Sequence, residues 1–277
     1  MGEPQALPRD YPPAEHVLRD LRLWSDPGAE PPAAGLPVQA ALAGRSGACS
    51  AGALAVLVDV VAGAAALRSA GAYWIATSDL RVHWLRPVAA GELVARAEPL
   101  RSGRTSIVIE VAVEAAGARV ARGAVGFSRL PATGEYQTRP REPAVARIEW
   151  GAGSQGFARP WSERIGAVVR DAEAGVVELP LGPYVGNSLG GLQGGIGVAL
   201  LDLAAEAAAS ARLGPAVATR DLAVHFLALG RAGPLRTRVE LLRKDGDALL
   251  LRVESRDTGA GDRLCALASA TVGAPLS

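Results

Sequence analysis

The sequence predicts an α+β chain built from two copies of one unit, each a long apolar helix followed by an antiparallel meander. Three observations carry this reading. First, TSDLRVHWL from Thr77 to Leu85 returns as TRDLAVHFL from Thr219 to Leu227. A pattern of T-x-D-L-x-V-H-aromatic-L is too long to come from composition, and internal repeats decide a fold before anything else does. Second, GALAVLVDVVAGAAA (Gly52–Ala66) answers GIGVALLDLAAEAAA (Gly195–Ala209), with Asp59 and Asp202 coinciding. Third, the segments after each helix alternate with period two and are separated by turn residues.

The helices are predicted from length and content. Both segments exceed ten residues, are rich in Ala and Leu, and sit between glycines. One face of the first is small (Gly52, Ala55, Asp59, Ala62, Gly63, Ala66), and the other carries Leu54, Leu57, Val61 and Ala65. A helix apolar nearly all round should be buried. In the following strand, Leu80, Val82 and Trp84 share one face, with Asp79, Arg81 and His83 on the other. Strands are then expected over Arg104–Ala115 and Ala118–Phe127. The second half should have them over Leu235–Arg243, Ala248–Arg256 and Arg263–Val272. The turns Ala116-Gly117 and Asp245-Gly246-Asp247 suit hairpins. Helix then meander is not βαβ alternation, which argues against a parallel sheet. Pro131–Pro160 holds Pro, Gly and charge without periodicity and is predicted to link the halves. The division is therefore 1–130, a linker 131–160, and 161–277.

Composition excludes several function classes. The 277 residues are 49% hydrophobic, enough for a core. With 29 basic and 28 acidic residues, the net charge of +1 offers no surplus for nucleic acid. Lys244 is the only lysine, so lysine chemistry is nearly excluded. Cys49 and Cys265 form no disulfide framework, and His16, His83 and His225 have no metal-ligand spacing. No metal is expected. The opening MGEPQALPRDYPPAEH lacks the basic head and apolar core of a signal peptide. The run Ala51–Leu67 is short for a bilayer span and carries Asp59 near its middle. A cytoplasmic protein without a membrane partner is expected.

One loop carries chemistry. Asn187, Gly194, Gly195 and Asp202 give N-x6-G-G-x6-D: an Asn in a loop, a Gly pair opening a helix, and an acid two turns on. This resembles the hotdog thioesterases, and within them the PaaI-like acyl-CoA thioesterases, where His commonly precedes the glycines. Gln193 stands there in this chain, and Thr219 takes the place of the family's post-helix Ser or Thr. The resemblance covers residues 35–130 and 165–273. It implies a tandem (double) hotdog, two antiparallel sheets each wrapping a long central helix. It also implies an acyl-CoA or acyl-carrier-protein thioester as substrate, and no cofactor. A homo-oligomer of such pseudo-dimers is left open. The first repeat departs from the motif. It keeps Asp59 and Thr77, but has Ala51-Gly52 for the Gly pair, Ser50 for Gln193 and Gly44 for Asn187.

Those residue types suit thioester hydrolysis. N–H groups at a helix start stabilise a developing oxyanion, glycine lets the backbone approach the carbonyl, and a carboxylate serves as general base or nucleophile. Gly194-Gly195 alone reads better as a tightly packed helix start; within the full spacing the functional reading is preferred. A carboxylate on an apolar helix is costly without a partner, so Asp59 and Asp202 are each catalytic or hydrogen-bonded. In the resembled family one subunit gives the Asn and the helix-start Gly, and the other gives the acid and hydroxyl. Carried over, one site joins Asn187, Gln193 and Gly194 to Asp59 and Thr77, with Gly195 and Ser78 as substrate contacts. The other joins Gly44, Ser50 and Ala51 to Asp202 and Thr219, and lacks parts.

Two other patterns carry less. Gly186–Gly190 fits G-x-S-x-G, but a nucleophile elbow needs a parallel sheet around it. His83 and His225 sit opposite the apolar strand face and read as interface or surface residues. Two rival functions stay open: a non-catalytic acyl-CoA-binding or regulatory protein, and a hotdog hydratase or dehydratase, whose helix-start His both repeats lack. Since one repeat alone leaves an apolar helix and a sheet edge uncovered, Gly156–Ser277 expressed by itself should dimerise or aggregate in size-exclusion chromatography. A stable soluble monomer contradicts the fused arrangement.

Overall fold

The computed structural model describes residues 11–71, 73–130 and 146–275. Its first half runs α1 (Val17–Asp20), β1 (Trp24–Asp26), β2 (Ala33–Pro37), α2 (Ala51–Ala70), β3 (Ile75–Trp84), β4 (Glu92–Ser102), β5 (Ser106–Ala115) and β6 (Ala118–Arg129). After β7 (Ile148–Glu149) the second half repeats that order. It comprises α3 (Trp161–Arg164), β8 (Val168–Asp171), β9 (Val176–Leu179), α4 (Gly194–Leu213), β10 (Ala218–Phe226), β11 (Leu235–Asp245), β12 (Ala248–Asp257) and β13 (Arg263–Gly273).

The two expected sheets are one. Among the described residues thirteen antiparallel strands run β7-β1-β2-β4-β5-β6-β3-β10-β13-β12-β11-β9-β8. Read outward from the β3–β10 seam, the two halves have the same order. The seam forms because β3 and β10 carry the repeated motif and are mutually complementary. Leu222 lies opposite Val82 and Val224 opposite Leu80, all buried. On the outer face His83 pairs with the Asp221 carboxylate, and His225 lies opposite Asp79. Pairing also satisfies the backbone groups that each meander would leave open at its edge. The histidines therefore belong to the seam.

Strand alternation sets the core. Ile107, Ile109, Val111 and Val113 of β5 are buried, as are Leu249, Leu251 and Val253 of β12. The observed β4 has no counterpart in the sequence reading, because Pro99 and its charges mask the alternation of buried Leu93, Ala95 and Ala97. Residues 131–145 of the predicted linker lie outside the described residues. The rest of it is more ordered than expected: Ile148 and Glu149 pair with β1.

Both helices run longer than their apolar repeats suggest. The Ser50 hydroxyl caps α2 by accepting from Ala53 N–H, and the Gln193 side chain caps α4 by accepting from Ile196 N–H. α2 is long and apolar enough to cross a membrane by length and composition, yet it is the core helix and mostly buried. It packs against α4 at very short range. A Cβ on Gly52 would lie 2.7 Å from Ala199 Cα, and one on Gly195 2.5 Å from Val56 Cα. The two contacts are pseudo-symmetric counterparts, and glycine is required at both.

Gly195→Ala should destabilise by about 1–3 kcal/mol, the usual cost of overpacking, because the atoms in its way are backbone. Gly63→Ala is the matched control: a Cβ there meets nothing within 4 Å, so helix propensity should make it stabilising by up to about 1 kcal/mol. Urea unfolding of both variants checks the pair of signs.

Candidate active site

The close helix crossing brings the middle of each helix to the start of the other. Asp59 of α2 lies against the N-terminus of α4 rather than against its own loop. Its Oδ2 accepts from Gln193 Nε2 at 2.7 Å and from Gly195 N–H at 3.1 Å. Its Oδ1 accepts from the Thr77 hydroxyl at 2.9 Å. Thr77 reaches the site because β3 begins just after α2 turns at Gly71. Gln193 thus has two tasks, since its amide oxygen caps α4 while its amide nitrogen binds the acid. Gly194 lies between: a Cβ on it would sit 3.0 Å from Asp59 Oδ2 and 3.2 Å from Thr77 Oγ1. Among the described residues the Gly194 N–H has no acceptor, and Gly194 is half-exposed to the cavity.

Burial pushes the Asp59 carboxyl up to about 6, although the Thr77 and Gly195 hydrogen bonds pull it back. The carboxylate borders a cavity of about 560 Å³ that is mostly apolar. Thr77, Ser78, Asn187 and Gly194 also line it. The Ser78 hydroxyl, however, donates to Asp79.

Asn187 is bonded within its own loop. Its Nδ2 donates to Leu192 O at 2.9 Å, and Oδ1 accepts from the N–H groups of Leu189 and Gly191. The side chain ties the loop that leads into Gln193 and Gly194. The same loop is the G-x-S-x-G match, and it follows a 3-10 turn at Pro183–Val185 rather than a parallel strand. Its Gly186 carbonyl accepts from His16 Nε2 at 2.9 Å and from the Tyr11 hydroxyl at 3.3 Å. Burial lowers the His16 pKa. Nothing in the sequence pattern marks Tyr11 or His16 as loop supports, because they lie 170 residues or more away.

The second acid sits in the mirrored place. Asp202 Oδ2 accepts from Gly52 N–H at 2.8 Å and Oδ1 from the Thr219 hydroxyl. Ser50 caps its helix there but makes no bond to Asp202. A further buried acid, Glu206, stands one turn on; burial and the Asp202 charge both raise its pKa. Glu206 was legible in the sequence, since aligning the two helices puts it opposite Gly63. Burial also raises the Cys49 pKa, with Asp202 adding to it, so the thiol stays protonated. Among the described residues no three His, Cys, Asp or Glu side chains cluster to hold a metal.

The comparisons divide along the same line as the sheet. Residues 46–121 match the family model of the thioesterase superfamily. Residues 187–273 match that of the acyl-CoA thioesterase N-terminal domain. No curated protein matches the chain. Among solved structures, an acyl-CoA thioesterase II TesB2 from Mycobacterium marinum is 16% identical, covering 88% of this chain and 93% of its own, with a TM-score of 0.57. An acyl-ACP thioesterase from Bacteroides thetaiotaomicron is 12% identical over 87% and 96%, with a TM-score of 0.54. A hot dog fold protein from Alicyclobacillus acidocaldarius is 14% identical over 88% and 94%, also at 0.54. Similarity of this kind is one of architecture, and the fold that the chain shares with these structures is the hotdog fold.

Proposed function

We propose that the chain is an acyl-CoA thioesterase working at the site that joins Asp59 and Thr77 to Gln193 and Gly194. One observation supports this above the rest: a buried carboxylate and an unpaired helix-start N–H meet at the wall of an apolar cavity. The thioester carbonyl oxygen would take the Gly194 N–H, where the α4 dipole favours negative charge. Asp59 would accept a proton from a water that attacks the carbonyl carbon. Collapse of the tetrahedral intermediate breaks the C–S bond, and the thiolate leaves and takes up a proton. Thr77 and Gln193 fix the carboxylate for this role, and Gly195 N–H holds its second oxygen. Asp202 and Thr219 are read as structural at the incomplete second site.

The wider reading goes with it. We take the chain as two hotdog repeats, 1–130 and 161–277, joined by 131–160, and as PaaI-like from the spacing of Asn187, Gly194, Gly195 and Asp202. The mirrored sheet order supports the two repeats. The free cysteines fit a reducing cytoplasm. An acyl-carrier-protein thioester remains an alternative carrier.

Thiol release from a panel of acyl-CoAs tests the activity; tight binding without release would instead favour the non-catalytic reading. Asp59→Asn should lower kcat by a factor of roughly 10² to 10⁴, the usual contribution of a general base. Asp202→Asn should keep most activity. The reverse ranking puts the acid on the same repeat as its Asn-Gly-Gly loop. Equal large losses, with circular dichroism showing both variants folded, would mean that both sites work.

The base must be ionised, and Asp59 titrates at about 6. Activity should therefore climb as pH rises through about 6 and level off above it. A profile flat down to pH 4 would remove Asp59 from the proton-accepting role.

A further inference from the structure

Behind Asp59, helix α2 turns Val60, Gly63, Ala64 and Leu67 toward the cavity. These positions recur every three or four residues and form one apolar stripe along the helix. The stripe is hollow at Gly63, where an added Cβ would meet nothing within 4 Å. Its counterpart on α4 is Leu203, Glu206, Ala207 and Ser210. There the space is filled. Glu206 is 5% exposed, and its carboxylate lies under the loop at Gly44, 3.5 Å from where a Cβ would stand. Arg45, the counterpart of cavity-lining Ser188, donates to the Ser210 hydroxyl at 3.2 Å. Three substitutions between the repeats, Ser188 to Arg45, Gly63 to Glu206 and Leu67 to Ser210, thus exchange an open apolar stripe for a polar plug.

We propose that Gly63 is the residue that sets acyl-chain specificity: the chain of the bound thioester runs over Gly63 along the α2 stripe, and each polypeptide holds one such chain. The proposal rests on the thioesterase reading of the Asp59 site and names its substrate class. From Asp59 to Leu67 the helix rises about 12 Å. At roughly 1.2 Å per bond of extended chain, that is room for about ten carbons. The substrates are therefore medium-chain acyl thioesters. Val60, Ala64 and Leu67 would make apolar contact with the methylenes, and the missing side chain at 63 leaves the passage.

Gly63→Leu places a branched side chain in the space where an added Cβ meets nothing within 4 Å. The ratio of kcat/KM for decanoyl-CoA to that for butanoyl-CoA should fall at least about tenfold, since the lost pocket contacts span several methylenes. Decanoate itself carries the chain without the thioester. Calorimetry should give one decanoate per wild-type chain, and an affinity weakened about tenfold or more by Gly63→Leu. Should that variant fail to fold, Leu67→Trp at the far end of the stripe should lower the same ratio. An unchanged ratio with unchanged decanoate affinity overturns the proposal, and two decanoates per chain overturn the single site. Loss of decanoate binding in the variant of a protein that cleaves no thioester leaves the acyl stripe standing and removes the thioesterase reading instead.

Discussion

The close crossing of α2 and α4 is the constraint on which the rest depends. Glycine at 52 and 195 lets the helices meet with backbone against backbone, Gly52 on Ala199 and Gly195 on Val56. At that separation the acid two turns into each helix reaches the first N–H groups of the other. A wider crossing would leave Asp59 and Asp202 buried with only their threonines, and a carboxylate in that state is costly. The same contact holds the halves in mirrored orientation, so β3 and β10 come edge to edge and the meanders fuse into one sheet. The apolar surface of both helices is thereby covered by a single continuous layer.

Much of this was legible in the sequence. The repeat predicts two similar halves, and the all-round apolar helices predict their burial. The spacing of Asn187, Gly194, Gly195 and Asp202 marks the loop that leads to the helix start bonded to Asp59. Other features needed coordinates. Strand pairing across the seam depends on which meander edge is left open, and period two alone does not say that. β4 hides because exposed charges and Pro99 break the visible pattern while Leu93, Ala95 and Ala97 still point inward. The amide of Asn187 has the right chemistry for a substrate contact, yet it is used by its own loop, which shows only in the bonds to Leu189, Gly191 and Leu192. The loop's anchors, Tyr11 and His16, sit at the far end of the chain from it and share no motif with it.

The two acids show how one geometry serves two ends. Both are buried, both accept from a threonine and from a helix-start N–H, and burial raises both. What differs is the neighbour at the helix cap. Gln193 is long enough to cap α4 and still reach Asp59 with its amide nitrogen. Ser50 caps α2 with its hydroxyl and goes no further. Asp202 is bonded to Gly52 N–H, a donor at the start of α2 that the helix itself cannot satisfy. Removing that acid would unpair a buried donor at the point where the helices are closest, so the carboxylate has a structural reason to stay.

Burial explains why such a carboxylate would suit the proposed role of Asp59. In water a carboxylate near 4 is a weak base; held at about 6, Asp59 is still mostly ionised at neutral pH and accepts a proton more readily. The Thr77 and Gly195 bonds hold the value from rising further, and with the Gln193 bond they fix the direction of its remaining lone pairs. At the second site Glu206 changes the balance. There the Asp202 charge adds to burial in raising the Glu206 carboxyl, so the two acids do not ionise independently. Glu206, at the position of Gly63, thus takes up space that the first helix leaves open and sets a second acid beside Asp202.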